Sequence, residues 1–465
     1  MDQMSTLDAE FLYLEDGVVQ MHIGSCAVFE GPAPEFEEFV ALTESKLPLV
    51  PRYRQKVRDV PLGFGRPVWV DDPHFTMDYH VRHTALPEPG GAEQLRRLMG
   101  RVMSQPLDRS RPLWETWVVE GLEDGRWAAI SKVHHSIVDG VSGVEMINAL
   151  LDMDPDAPVA DLEPWEPEEQ PEWVSLIADG ISGFVGDMAR RTGSIATSMT
   201  RPDWWRSGLQ GTGKALSTVT GTMQSEAPTG LDGPIGPHRR WDWTVVSLDD
   251  IKRIKTELGG TVNDVVLSAI AGGFRRLIES RGEDPGEYGV RTLVPVSVRA
   301  EDHHGEFNNQ VSGMIGELPV AIADPRERLA AVHEQMVELK ESHEAEIGET
   351  ITDLSDLAFP GLLALGSRAT VRFLASREGQ RGVNTVTTNV PGPQFPLYAL
   401  GRRMVGYYPY VPIFHGMRAG VAILSYDGQV AFGITGDYGS MPDLGMLAQG
   451  IEESIAELLK SLDEA

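Results

Sequence analysis

One cysteine, Cys26, stands in 465 residues, which excludes an internal disulfide and fits a reducing compartment. It lies in the apolar run Ile23-Gly24-Ser25-Cys26-Ala27-Val28-Phe29, where a small buried side chain is expected. No stretch reaches the roughly 18 apolar residues that would span a bilayer. The start, Met1-Asp2-Gln3-Met4, is acidic and no apolar segment of a secretory signal follows, so a cytoplasmic location is expected. Basic residues are scarce. There are 40 Lys and Arg against 69 Asp and Glu, a formal net charge of −29. That balance argues against nucleic-acid binding and obliges any polyanionic ligand to find a local basic patch. Arg52, Arg54, Lys56 and Arg58, then Lys252, Arg253 and Lys255, then Arg275 and Arg276 are such clusters, each also readable as a solvated face. The serine-hydrolase elbow G-x-S-x-G, the P-loop and the dinucleotide fingerprint are all missing. His80 and His83 lie three apart, but no Cys or carboxylate cluster completes a set of ligands, so no metal is expected.

What is present is an ordinary globular composition, 41% apolar and 23% charged, in a chain long enough for two domains. Strand patterns (Met21 to Phe29, Val68 to Val70, Tyr79 to Val81, Thr116 to Val119, Trp127 to Val133) mix with helical ones (Leu7 to Glu15, Pro34 to Leu47, Ala92 to Gln105). After Trp241 the mixture resumes. Helices are expected at Leu248 to Leu258, from Thr261 through Arg276, at Arg326 to Glu341 and at Leu444 to Leu459; strands at Arg291 to Arg299, Val311 to Val320 and Asn384 to Val390; and a hairpin about Asp427-Gly428. Strict strand–helix alternation is absent, so the expected class is α/β (α+β), with mixed β-sheets and flanking helices. The acidic, proline-rich stretch Asp152 to Gln170 marks a boundary. Residues 1–160 read as one domain, 161–235 as a helical crossover and 236–465 as a second domain. Trp173, Leu176, Ile177, Ile181, Phe184, Val185 and Met188 form one face of a helix in the crossover, open to two readings, packing on the protein or contact with lipid.

The centre of the sequence is Val133-His134-His135-Ser136-Ile137-Val138-Asp139-Gly140, between a strand pattern and a helical one in which Val141, Val144, Ile147 and Leu150 recur. At this histidine content, H-H-x-x-x-D-G arises by chance on the order of a few times per thousand chains. A histidine at a strand end can serve as general base for a hydroxyl or amine nucleophile, and Gly140 leaves room for a sharp turn. A structural histidine pair beside a helix start is the other reading.

His134-His135-Ser136-Ile137-Val138-Asp139-Gly140 resembles the signature of the chloramphenicol acetyltransferase-like acyltransferases and of condensation domains. Leu7-Asp8-Ala9 with Phe11-Leu12 and Glu15, Pro112-Leu113-Trp114, Thr261-Val262-Asn263-Asp264-Val265-Val266, Val294 to Arg299 and Asn389-Val390-Pro391-Gly392-Pro393 narrow the resemblance to the bacterial wax ester synthase/diacylglycerol acyltransferase family. It implies two chloramphenicol acetyltransferase-like domains with an active-site tunnel between them. His135 would be the general base and Asn263 the oxyanion donor, with a plain N-cap as the alternative for Asn263. Asp139 would form a structural pair with an arginine, for which Arg299 is the candidate. His134, Gly140, Pro112, Leu113, Trp114 and Asn389 would be scaffold. The substrates implied are acyl-CoA, as co-substrate with no tightly bound cofactor, and diacylglycerol or a fatty alcohol, giving triacylglycerol or wax ester. Such substrates imply a peripheral place at the inner membrane or lipid droplets. Arg239-Arg240 or Arg275-Arg276 would then offer the basic patch for CoA. An acyltransferase for secondary-metabolite hydroxyls or amines, and a non-catalytic lipid-binding protein, are the competing readings.

Overall fold

The computed structural model describes residues 2–61, 65–137, 151–160, 164–178, 230–297, 311–341 and 383–464. The first part of the chain supplies β1 (Asp2–Gln3), α1 (Thr6–Leu14), β2 (His22–Phe29), α2 (Phe36–Lys46), β3 (Gln55–Arg58), β4 (Val68–Asp71), α3 (Met77–His80), β5 (Val81–Ala85), α4 (Ala92–Met103), β6 (Trp114–Glu120) and β7 (Trp127–His134). The later part supplies β8 (Arg239–Ser247), α5 (Leu248–Leu258), α6 (Val262–Ser280), β9 (Val290–Ser297), β10 (Val311–Leu318), α7 (Pro325–Glu341) and β11 (Thr385–Pro391). It ends with β12 (Tyr398–Ala399), β13 (Arg402–Tyr410), β14 (Ala419–Tyr426), β15 (Gln429–Asp437) and α8 (Leu444–Asp463).

Among the described residues, two six-stranded mixed sheets carry the architecture, in the orders β12-β13-β2-β7-β6-β5 and β10-β9-β11-β14-β15-β8, beside a small sheet β1-β4-β3. In the first sheet, β2, β7 and β6 are antiparallel, and their strict alternation splits the side chains between two cores. Ala27, Phe29, Trp127 and Val133 face Phe39 and Leu42 of α2. Cys26, Val28, Ala128 and Ile130 face Leu95, Leu98, Met99 and Val102 of α4. The buried positions of α4 recur at three- and four-residue intervals, as an amphipathic helix requires.

β13 crosses between the two halves of the chain. It adds to the free edge of β2, so a strand from beyond residue 400 completes the sheet that carries the histidine pair. The halves also meet where α4 packs on β8. A Cβ at Gly100 would lie 2.8 Å from the Arg239 carbonyl oxygen, so this contact needs glycine. Arg96 reaches across to pair with Asp242 and to lie over the Trp243 ring, 4.4 Å from its centroid.

Two expectations change. Tyr79 and His80 close α3 instead of opening a strand, which starts at Val81. His80 is turned inward by a 2.8 Å hydrogen bond to the Trp114 carbonyl and by stacking on the Trp114 ring at 4.6 Å. In helical residues 173–178, Leu176 packs against Val60, Val68 and Val70 while Trp173 is 62% exposed, so those two do not share a buried face. The remainder of the expected helix to Met188 lies outside the described residues, as does the segment 298–310 with His303-His304.

Candidate active site

The histidine pair ends β7, and each backbone amide is held by a different neighbour. His134 N–H donates to the Leu113 carbonyl at 2.9 Å and His135 N–H to the Met21 carbonyl at 2.8 Å. The two residues before β6 and β2 thus clamp the pair from opposite sides. Leu113 and Trp114 are fully buried. Trp114 donates its indole N–H to the Tyr53 carbonyl at 2.8 Å and stacks on Tyr53 at 4.4 Å, which anchors the start of β6 where it grips His134. Pro112, also buried, precedes this anchor.

His134 is buried, on the α4 side of the sheet. Its Nδ1 accepts the Ser136 amide N–H at 3.1 Å and lies 2.7 Å from the Ser136 hydroxyl. An Nδ1 that accepts from an amide leaves the proton of the neutral ring on Nε2, which lies 3.3 Å from Glu15 Oε1 in an electrostatic contact. Glu15 is the C-cap residue immediately after α1. Burial raises its carboxyl, but the His134 ring beside it, the Arg109 guanidinium and the Met21 amide together hold it down at about 2.

His135 is half-buried beyond the strand end, its ring 4.1 Å from that of Phe11 on α1. Burial, then the neighbouring His134, lower its pKa to about 4 against the opposing pull of its own backbone carbonyl. The ring is therefore neutral near pH 7 and able to take a proton. Beneath the pair, the fully buried Lys132 donates to the carbonyls of Val102 (3.2 Å) and Gln105, at the C-terminus of α4. His22 bonds the Met103 carbonyl there at 2.8 Å. The Lys132 ammonium and the His22 ring meet the carbonyls at the negative end of the α4 dipole and fix the floor under the site. Burial pushes the Lys132 ammonium down to about 8.

Asn263 and Asn389 are brought together from different elements of the later half: Asn389 Nδ2 donates to Asn263 Oδ1 at 3.2 Å. Asn263 is not the N-cap of α6. Thr261 is, in a reciprocal capping box with Asp264, whose carboxylate also takes a 2.8 Å bond with His333. Asn263 consequently stands in the first turn of a 19-residue helix with its side chain free of capping duty. Asp139, Gly140 and Arg299 lie outside the described residues. On the α2 side of the first sheet, a cavity of about 50 Å³ is lined by Ser25, Ala27, Phe39, Leu42, Ala129 and Ser131, with the buried Ser131 hydroxyl unpartnered among the described residues.

The basic clusters fare differently from their sequence reading. Arg239 is buried and spends its guanidinium on the carbonyls of Gly236, His238 and Val18, which removes it as a CoA contact. Arg240 stacks on Tyr438; Arg275 bonds the carbonyls of Val320 and Ala321, and Arg276 pairs with Glu453. His80 and His83 do not converge, since His83 pairs with Glu120. Sequence reasoning gave no role to Glu15, Arg109, Met21, Phe11 or Lys132. Lys132 shares a face of β7 with His134, whereas Glu15, Phe11 and Met21 reach the pair through the pairing of β2 with β7, and Arg109 through its bonds to Glu15 and Leu12, which no local spacing encodes.

The chain matches the wax ester synthase/diacylglycerol acyltransferase catalytic domain over residues 4–266 and the WS/DGAT C-terminal domain over residues 307–459. It is 37% identical to a probable diacylglycerol O-acyltransferase of Mycobacterium tuberculosis, across 99% of this chain and 96% of that one. Among solved structures it is similar to the wax ester synthase/diacylglycerol acyltransferase of Marinobacter aquaeolei VT8, at 25% identity and a TM-score of 0.67 over 99% of this chain and 100% of that one. The trichothecene 15-O-acetyltransferase of Fusarium sporotrichioides shares the fold, at 11% identity and a TM-score of 0.62 over 99% and 94% of the two chains. With both family domains matched in order and a relative more than a third identical end to end, this chain belongs to the wax ester synthase/diacylglycerol acyltransferase family of acyltransferases.

Proposed function

We propose that the protein transfers a long-chain acyl group from acyl-CoA to the hydroxyl of diacylglycerol or of a long-chain alcohol, with His135 as general base. The observation that carries this is a neutral imidazole at a strand end, gripped through its backbone by Met21 and through its ring by Phe11. In the reaction, His135 accepts the hydroxyl proton as the alcohol oxygen bonds to the thioester carbonyl carbon. The tetrahedral intermediate then collapses, the C–S bond breaks, and the proton passes from His135 to the departing CoA thiolate. The ring ends as it began and no acyl-enzyme forms.

Asn263 supplies the oxyanion donor in this reading. Its carbonyl oxygen is occupied by Asn389, which orients the amide and leaves its Nδ2 hydrogens without an acceptor among the described residues. A donor aimed at a developing oxyanion is worth about 10²–10³ in kcat. Asn263→Ala is expected to lose that factor with KM within twofold and an unchanged melting temperature, because Thr261 and Asp264 keep the cap. A kcat within threefold of wild type would remove Asn263 from the mechanism. Asp139, paired with Arg299, is assigned to geometry instead of chemistry, and the chain is divided at 1–160, 161–235 and 236–465, with the substrates meeting between the two end domains. Among the described residues, no helix is long and apolar enough to cross a membrane. The exposed Trp173 and Val174 are the side chains assigned to a lipid surface.

The test is purified protein with palmitoyl-CoA and either dioleoylglycerol or hexadecanol, following release of the CoA thiol. Turnover with at least one acceptor is expected. Turnover confined to amine or carrier-bound acceptors, or none, would overturn the substrate assignment.

A further inference from the structure

The helix α1 divides its apolar side chains between two neighbours. Ala9 and Leu12 enter the core that also holds Phe39, Trp114 and Val133. Phe11 and Leu14, three residues apart and so on one strip of the helix, pack instead on a separate cluster of Val19, Met21, Ile235 and Ile413. That cluster draws on distant parts of the chain and forms an apolar collar at the end of β7. Within it, the Met21 carbonyl holds the His135 N–H at 2.8 Å. The Phe11 ring lies 4.1 Å from the imidazole of the half-buried His135, tilted by 41°.

The polar groups of the same segment are engaged elsewhere. Asp16 accepts the amides of Val18 and Val19, both at 2.7 Å, and faces His415 at 3.4 Å. Glu15 accepts from the Met21 amide at 2.8 Å and from the Arg109 guanidinium at 2.7 Å. An ordered water needs about two to four polar partners. The side chains of the collar offer it none, whereas a hydrocarbon chain meets apolar surface there. This matters because a base that takes a proton from an alcohol can take one from water. The water oxygen would then bond to the thioester carbonyl carbon while His135 held the proton. The C–S bond would break, the proton would pass to the CoA thiolate, and the products would be a fatty acid and free CoA. A site that keeps water out suppresses this side reaction.

We propose that Phe11 is a specificity-determining residue of acyl transfer: its ring, backed by the collar, covers the His135 imidazole against water, and the acceptor's own hydrocarbon completes the seal when its hydroxyl arrives. This rests on the reading of His135 as base. Phe11 takes no proton and makes no bond to substrate; it decides which hydroxyl reaches the base.

The test gives purified protein palmitoyl-CoA with dioleoylglycerol or hexadecanol, and measures free palmitate beside ester in the same sample. Phe11→Ala is expected to raise the palmitate-to-ester ratio by about tenfold or more, with Phe11→Leu between it and the wild type. Loss of folded enzyme lowers both products alike, so the ratio does not move through instability; Phe11→Leu carries the test if Phe11→Ala yields no protein. In Phe11→Ala/His135→Ala, palmitate should disappear together with ester. A ratio within about threefold of wild type in both single variants would overturn the proposal. So would palmitate that persists in the double variant while His135→Ala alone makes no ester, since water would then react without the base that Phe11 covers. Ester formation undiminished in His135→Ala would instead remove the base reading.

Discussion

His135→Ala is expected to fold normally and to lose acyl transfer by about 10²–10⁴-fold, the usual worth of a positioned general base. The backbone hydrogen bond to Met21 survives the substitution, and Phe11 loses one ring neighbour. The pH profile of the native protein carries a second signature of the same residue. The active form has a neutral ring, and burial lowers the His135 pKa from 6.5 to about 4. kcat/KM should thus stay level as pH falls through 6.5 and decline only near 4. A residual rate above a tenth of wild type, or an acid limb at an ordinary histidine pKa, would exclude His135 as the base.

Acid should also unfold the protein early. His80 and His135 each have a pKa lowered to about 4, with burial the largest cause, and burial lowers that of His22 well below 6.5. All three bind protons more readily when unfolded, so their contribution to stability is complete above pH 6.5 and is lost as pH falls toward 4. For His80 alone, the span from 6.5 to about 4 corresponds to roughly 3 kcal/mol. Glu15 acts in the same direction at lower pH, between its ordinary 4.5 and its folded value of about 2. Urea midpoints at pH 7, 6 and 5 should fall steadily, and His80→Phe, which preserves the stack on Trp114, should flatten that slope by about one proton. Equal midpoints at pH 7 and 5 would contradict the burial of these rings as neutral groups.

Much of the architecture could be read in advance because its signals are local. The hairpin at Asp427-Gly428 announces itself by two residues that take positive φ, and α6 by the Thr261–Asp264 box at its start. The histidine pair was conspicuous because its chemistry is packed into one heptapeptide. What escaped was relational. Glu15 and His134 are far apart in sequence, and only β2–β7 pairing, with His22 opposite His134, makes them neighbours. The basic clusters looked available for CoA because sequence cannot show which carbonyls or acids the fold will deliver to Arg239, Arg275 or Arg276. The strand Arg402–Tyr410 was missed altogether, and so was its place beside β2.

That last feature bears on how the protein is made. On the ribosome, β2 emerges some 370 residues before β13, its partner on one side. At roughly 5–20 residues per second, the interval is about 20–75 s. Throughout it, the edge of His-Ile-Gly-Ser-Cys-Ala-Val-Phe offers unpaired N–H and C=O groups along an apolar strand, the kind of edge that recruits other chains. The sheet bearing the histidine pair is therefore among the last parts of the molecule to close. Its yield in the cell depends on what shields that edge during synthesis, and a chain truncated before residue 402 is left with a permanent adhesive seam.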